Sequence, residues 1–466
     1  MGGEERVERL MHARGKLDAR QRIERLFDPD SFVEIGRLVG DLEDIPGDAF
    51  VCGMGRIDGR PVMAGVEDFS VMGGSIGSGG SAKRYRIAEL ALQEGLPLVT
   101  MLEGAGHRLT DTGQGRAPND LLAYADLGGQ VPMVCIIMGA SAGHGALAAP
   151  LSDFVIMTSY ASMFTGGPPL VKAATGEDVS KEELGGAEVC CEISGAAHNE
   201  APDDAAALDL ARTYLSYLPS SRAAAPPRRE GPDTGPRLIE EMLDLVPPND
   251  RRPYSMHRVI EAIVDRDSLL EIQPRYGRSL ITAFAFLGGR SVAIVANNPM
   301  VGAGAVDSAA AIKAADFLEV VGHFGQPVIF LADNPGVLAG TRAEREGILK
   351  WGGKMFRAER RLANPKLHVT MRKAFGFGMV TMAGTPFDNQ TLSYTLPGVN
   401  LAAMPAESGG RSARLDAETQ EQVERDQRAG PYRMANRLGC DDVVDPRELR
   451  NALLDGLRLS DARSSG

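Results

Sequence analysis

The sequence predicts an α/β protein built from two tandem copies of one domain. Three observations lead there. Blocks of residue identity recur about 230 positions apart, helical stretches alternate with β-branched strands in each copy, and a Pro- and charge-rich segment lies between the copies. An offset of 230 places Gly59-Arg60 on Gly289-Arg290, Lys83 on Lys313, Gly95 on Gly325, Pro97 on Pro327, Glu103 on Asp333 and Gly106 on Gly336. An offset of 233 lays Val131–Gly145 over Asn364–Gly378, with Pro132 on Pro365, Met138 on Met371 and Gly143-His144-Gly145 on Gly376-Phe377-Gly378. Two nearly equal offsets over widely spaced blocks are hard to produce by chance.

Each copy reads as strand, turn, strand, Gly-rich loop, amphipathic helix, strand and Gly-containing loop. Asp58-Gly59 and Gly288-Gly289 mark the first turn as a two-residue hairpin, because both central positions of that turn need positive φ. The segments from Pro97 to Leu102 and from Pro327 to Leu331 are the strands that follow the helix. The stretch from Pro219 to Arg237 has little apolar content and reads as a linker. The expected domains are 1–225 and 226–466, with the repeated second half beginning near Pro248.

A length of 466 residues suits two domains of about 200 residues each. A net charge of −12 argues against nucleic acid as a partner, since phosphate binding relies on clustered Lys and Arg. The first twenty residues are charged and helix-like, and no apolar run reaches the ~18 residues that span a bilayer, so a soluble, cytoplasmic protein with no membrane association is expected. The five cysteines form no C-x-x-C pair, and the seven histidines are scattered, so no metal site is expected. Cys135, inside VPMVCIIM, reads as a small buried hydrophobe.

The chemistry is expected at the Gly-rich ends of the repeated strands. Gly143-His144-Gly145 and Gly376-Phe377-Gly378 each follow an apolar strand. Glycine there lets the backbone bend and present main-chain N–H groups to a ligand. Such donors stabilise an enolate or thioester oxyanion, whereas a single segment of this kind is more often a plain tight turn. Its recurrence at one repeat position favours two sites for two carbonyl-bearing ligands that must meet. Gly73, Gly74, Gly104, Ala105 and Gly106 add flexible backbone near the same strand ends. They match no P-loop, since G-K-[ST] is absent, and no G-x-S-x-G is present. Lys83 is either a contact to a ligand phosphate or a solvated helix lysine. His144 is a donor or base, or else a packing or surface residue, and the same choice holds for His107. Glu103 and Asp333 are expected to orient loops through backbone N–H groups rather than act as acid or base.

Further segments carry a family resemblance. They include Met11-His12-Ala13-Arg14-Gly15-Lys16-Leu17, Leu26-Phe27-Asp28-Pro29, Thr175-Gly176-Glu177-Asp178-Val179, Glu183-Leu184-Gly185-Gly186-Ala187 and Ser194-Gly195-Ala196-Ala197-His198. In the second half they include Arg275-Tyr276-Gly277, Ala296-Asn297-Asn298, Pro431-Tyr432 and Asp441–Pro446. Over nearly its whole length the chain resembles the biotin-dependent acyl-CoA carboxyltransferases, propionyl-CoA carboxylase β subunits in particular.

The resemblance implies two tandem crotonase-like (ββα-superhelix) domains, with acyl-CoA on the N-terminal one and carboxybiotin on the C-terminal one. It implies transfer of a carboxyl group from carboxybiotin to the α-carbon of a coenzyme A thioester. Gly143, His144 and Gly145 would lie around the thioester oxyanion hole, and Gly376, Phe377 and Gly378 around the hole for the biotin ureido oxygen. Gly73, Gly74, Lys83, Gly104, Ala105, Gly106, Met379 and Val380 would border the substrates. No A-M-K-M biotinyl-lysine motif occurs, and Lys354-Met355 reads as helix surface. Biotin would therefore come on a biotin carboxylase/biotin carboxyl carrier partner, and a homo-oligomer, a hexamer arranged as a trimer of dimers, is implied.

At the first hole, where the family usually has Gly-Gly-Ala, His144 stands between Gly143 and Gly145, and at the second Phe377 sits where Gly is common. The chain has Met379-Val380 where short-chain members carry Tyr-Asp, and Met404-Pro405-Ala406-Glu407-Ser408 where the family has Met-Gly-Ala-Glu-Gly. Two other readings use the same residues. One is a biotin-linked acyl-CoA decarboxylase subunit. The other is a biotin-independent crotonase-like enzyme in which His144 acts on an acyl-CoA or acyl-carrier substrate. An assembly subunit whose holes no longer bind ligand is the non-enzymatic alternative, disfavoured because glycine is kept in both turns.

Overall fold

The computed structural model describes residues 2–108, 119–428, 430–461 and 463. The chain divides into two compact units, Met1–Ala224 and Ala225–Gly466. Each is an eight-stranded sheet with helices packed on it, an α/β architecture of two similar units consistent with tandem crotonase-like domains.

In the first unit the strands are β1 (Val33–Ile35), β2 (Phe50–Ile57), β3 (Arg60–Glu67), β4 (Leu98–Gly104), β5 (Met133–Ala142), β6 (Phe154–Thr158), β7 (Ser162–Phe164) and β8 (Asn199–Ala201). Their order is β1-β2-β3-β4-β5-β6-β8, with β7 also pairing β5. The β2–β3 hairpin is antiparallel, closing at Ile57↔Arg60, and from β3 onward the pairs are parallel. Asp58 and Gly59 both take positive φ, as the two-residue turn demands, and their N–H groups donate to the Asp28 carboxylate.

The second unit holds β9 (Leu270–Ile272), β10 (Leu280–Leu287), β11 (Arg290–Asn297), β12 (Val328–Asn334), β13 (Lys366–Phe375), β14 (Leu392–Thr395), β15 (Asn400–Ala402) and β16 (Asp442–Val443). Its order is β16-β14-β13-β12-β11-β10-β9, with β15 also pairing β13. Gly288 and Gly289 repeat the positive-φ turn, and their N–H groups donate to Asp265. β2, β3 and β4 lie 230 residues before β10, β11 and β12 at both ends of each strand, and β5 lies 233 before β13.

The helix after each hairpin is repeated too. Ser78–Glu94 and Ser308–Phe324 both stop at a glycine in the left-handed region, Gly95 (φ +64°) and Gly325 (φ +78°), which ends a helix without strain on a Cβ. Parallel central strands covered on both faces read as unbroken apolar runs. β4 and β12 are accordingly buried along their whole length.

Three sequence expectations change. The Pro219–Arg237 stretch is not a free tether throughout. Within the second unit Arg229 N–H donates to Gly289 O at 2.6 Å and Ser291 N–H to Pro227 O at 3.2 Å, so residues 227–229 extend the β10–β11 hairpin. Packing also starts before Pro248, because Ile239, Met242 and Leu245 already belong to the second unit's core. Met355 departs as well. It is fully buried on the Ile348–Arg361 helix, while Lys354 beside it is exposed. All five cysteines are buried free thiols, and burial raises the Cys135 thiol to about 12, which leaves it inert.

Candidate active site

Parallel strands end on one side of a sheet, and the loops leaving β3, β4 and β5 meet there in the first unit. Ala105 N–H donates to Gly73 O at 3.1 Å, Ile76 N–H to Gly106 O at 2.8 Å and Arg108 N–H to Ile76 O at 2.8 Å. Gly73, Gly74, Gly104, Ala105 and Gly106 are thus brought together. Backbone runs so close to backbone that a Cβ on Gly106 would lie 2.6 Å from Ala142 O, at the start of the next turn.

That turn begins with Gly143 at φ +59°, whose N–H donates to Phe164 O at 3.2 Å. The positive φ redirects the chain, and Gly145–Leu151 continues as a 3-10 helix. Among the described residues no acceptor pairs with the N–H groups of His144 or Gly145. An apolar cavity of about 330 Å³ opens beside them, lined by Gly143, Ala146, Leu147, Met163, Phe164 and Val189 among others.

The second unit repeats this design. Val306 N–H donates to Gly336 O at 3.2 Å and Leu338 N–H to Val306 O at 2.8 Å, the same bridge 230 residues on. Gly376 has φ +51° and opens the short helix Gly376–Thr381. Among the described residues the N–H groups of Phe377 and Gly378 have no acceptor. Gly378 admits no larger residue without movement, since a Cβ there would lie 2.2 Å from Asn334 Oδ1 and 2.7 Å from Gly336 backbone. Met379 and Val380 follow, both half-buried.

Several side chains play parts that sequence reading did not assign. Glu103 and Asp333 do not hold loop N–H groups. Arg22 donates to Glu103 at 2.7 Å, Lys16 also pairs with it, and Arg372 donates to Asp333 at 2.7 Å. Burial pushes the Asp333 carboxyl up, with the Arg372 charge opposing. The loop N–H groups go one strand over. Glu103 N–H donates to Glu67 at 2.6 Å and Asp333 N–H to Asn297 at 3.0 Å. Glu67 and Asn297 occupy equivalent ends of β3 and β11, so the 230-residue offset was the signal for them. Asn334 has a different signal, because its equivalent is Gly104 and only the structure shows its amide packed against Gly378.

Lys83 does not reach the site. It is buried, with its ammonium donating to Phe50 O and Gly47 O, and burial lowers its pKa. His144 turns its Nε2–H to Asp120 Oδ1 at 2.6 Å, and the His107 ring stands edge-on to it at 6.2 Å. Among the described residues no three His, Cys, Asp or Glu side chains are grouped to hold a metal ion, and no helix is long and apolar enough to cross a membrane.

Comparison with known proteins bears directly on two hole-like turns at repeated positions. The model of the carboxyl transferase domain family matches residues 10–465. The chain belongs to the carboxyl transferase family. It is 38% identical to the 12S subunit of methylmalonyl-CoA carboxyltransferase of Propionibacterium freudenreichii subsp. shermanii, over 98% of this chain and 91% of that one. It is 35% identical to the α subunit of methylmalonyl-CoA decarboxylase of Veillonella parvula, over 98% and 92%. Among solved structures it superposes on a chain of the transcarboxylase 12S crystal structure, with methylmalonyl-coenzyme A and methylmalonic acid bound, at a TM-score of 0.91 and 37% identity, covering 98% of this chain and 92% of that one. A carboxyl transferase of this biotin-dependent group is an enzyme that moves a carboxyl group between carboxybiotin and an acyl-CoA.

Proposed function

We propose that this chain is the carboxyltransferase subunit of an acyl-CoA carboxylase and places a carboxyl group on the α-carbon of its acyl-CoA. The observation that carries this reading is the pair of positive-φ glycine turns, Gly143 and Gly376, each followed by two N–H groups with no acceptor among the described residues. In it, the N–H groups of His144 and Gly145 hold the thioester oxygen as it gains charge on enolisation. Fixed donors of this kind are worth a few kcal/mol each, because they need no reorganisation when the charge appears. The apolar cavity beside Gly143 suits the uncharged part of the thioester.

The N–H groups of Phe377 and Gly378 would hold the ureido oxygen of carboxybiotin, which as a carbonyl acceptor suits two convergent donors. Bound carboxybiotin supplies the activated carboxyl group and, after losing it, the base for the α-proton. Of the chain's own side chains, the half-buried Met379 and Val380 directly follow the second hole and would give it an apolar border that excludes water. A biotin carrier on a separate biotin carboxylase/biotin carboxyl carrier polypeptide, and a hexamer like that of the transcarboxylase 12S relative, complete the proposal.

The test is incubation of the purified protein with a carboxylated biotin carrier and a panel of acyl-CoAs. Carboxylated thioester formed in proportion to enzyme is expected. Transfer only from a malonyl-type CoA to free carrier would assign the reverse direction, which the Veillonella relative's name describes for that protein. Turnover of acyl-CoA with no carrier present would instead support the biotin-independent reading through His144.

A further inference from the structure

Both hole turns carry a side chain at the residue that follows the positive-φ glycine, His144 in one unit and Phe377 in the other. In both units that side chain runs back to the helix preceding the hole strand. His144 Nε2–H donates at 2.6 Å to Asp120, at the start of the Asp120–Leu127 helix, and Asp120 is 1% exposed. The Phe377 ring stands edge-on to Phe356 at 6.1 Å and lies over Gly352, both on the Ile348–Arg361 helix.

The histidine contact is the stronger of the two. A short bond to a buried carboxylate is charge-assisted, and it fixes both the rotamer and the Nε2–H tautomer of the imidazole. Asp120 is itself held in place. Asn119 caps its helix by accepting from Leu121 N–H at 3.0 Å, and the positive charge of buried Arg84, which donates to Glu67 at 2.5 Å, favours the Asp120 carboxylate through space. Glu67 in turn accepts the Glu103 N–H.

We infer that Asp120 is a positioning residue that clamps His144, so that the His144 and Gly145 N–H groups stay aimed where the thioester oxygen gains charge. The inference rests on the proposed hole. A residue with a Cβ at position 144 has alternative rotamers that would drag the peptide plane, and a displacement of about 1 Å in a donor costs up to about a hundredfold in rate. The bond to Asp120 removes that freedom. Asp120 touches no reacting atom in this scheme and acts only through residue 144.

Hydrogen–deuterium exchange and steady-state kinetics on the full chain test this together, using Asp120→Asn in two backgrounds, the natural one and His144→Gly. Asp120→Asn is expected to raise exchange about tenfold in the peptide spanning 143–149 and to leave the Ser308–Phe324 helix of the second unit unchanged. It is expected to lower kcat about tenfold while KM for acyl-CoA stays within threefold. Added to His144→Gly, the same substitution changes exchange and kcat less than twofold, because there is no imidazole left to hold. Equal losses in both backgrounds, or no change in exchange in the natural one, would overturn the clamp. If the unaltered protein transfers no carboxyl group, the proposed function fails, and the exchange data alone then decide the clamp.

Discussion

Lys83 donates to the Phe50 and Gly47 carbonyls, and Lys313 donates to Leu280 O at 2.7 Å and Gln273 O at 3.2 Å. Each buried ammonium ties down the start of the first hairpin strand from a helix that begins one loop later. Burial lowers Lys313 to about 8, so the cost of keeping it charged is met by these carbonyls and by nearby Glu271 and Asp307. Lys83→Met should thus cost stability, about 1–3 kcal/mol for a buried carbonyl left unpaired, and leave KM for acyl-CoA within twofold. Chemical denaturation alongside kinetics reads both, and a large rise in KM would return Lys83 to the substrate. Position 83 alone was ambiguous in the sequence, since a lysine after a glycine-rich loop fits a phosphate contact and a solvated helix equally well. The identity at 313 was the clue that both were structural. His144 was legible as a site residue, but its anchor was not. Nothing in the local sequence ties Asp120 to a residue 24 positions away.

At the scale of elements, each unit holds one imidazole against the main chain of its sheet, half-buried at His198 and buried at His368. His198 Nδ1 accepts from Val155 N–H at 2.8 Å, and His368 Nδ1–H donates to Met382 O at 2.8 Å. Burial lowers both to about 4. A depressed histidine stabilises the fold fully above its unfolded value of about 6.5, and that contribution is lost as pH falls through about 4. His198→Asn keeps an acceptor for Val155 without the titration. Its melting temperature should fall less between pH 6.5 and 4.5 than that of the unaltered protein, and identical slopes would refute the assignment.

A second element-scale prediction concerns the Ile348–Arg361 helix. Gly352→Ala removes a mid-helix glycine, worth about 1 kcal/mol, yet sets a Cβ 3.0 Å from the Phe377 ring. Melting temperature should hold or rise while turnover falls several-fold. A lower melting temperature with unchanged turnover would separate Phe377 from the hole. The strands and hairpin turns were legible here because their glycines and apolar runs answer to backbone geometry. The role of residues 227–229 was missed because edge pairing to a hairpin leaves no apolar trace.

Across the whole molecule, two units of similar design hold differently charged surroundings behind their turns. Glu67 with Arg84 backs the first, and the neutral amides Asn297 and Asn334 back the second, where Asn334 Nδ2–H donates to Asn297 Oδ1 at 3.0 Å. Under the proposed division of labour, Gly378→Ala should abolish transfer, at least a hundredfold, because the added methyl collides with Asn334 and with Gly336. Acyl-CoA affinity by calorimetry should remain within threefold. Loss of acyl-CoA binding in that variant would contradict the separation of the two sites.

From β2 to β5, set against β10 to β13, strand lengths match between the units as far as the two hole turns, and afterwards they part. Residues 143–153 separate β5 from β6, whereas 376–391 separate β13 from β14. Hydrogen-bonded ladders count residues strictly, so a chain can be lengthened only where nothing pairs with it. The rim just past each turn is therefore where such a scaffold can be respecified. Segments grafted there from one unit to its counterpart, or from a relative, would change which molecules are admitted while both sheets keep their register.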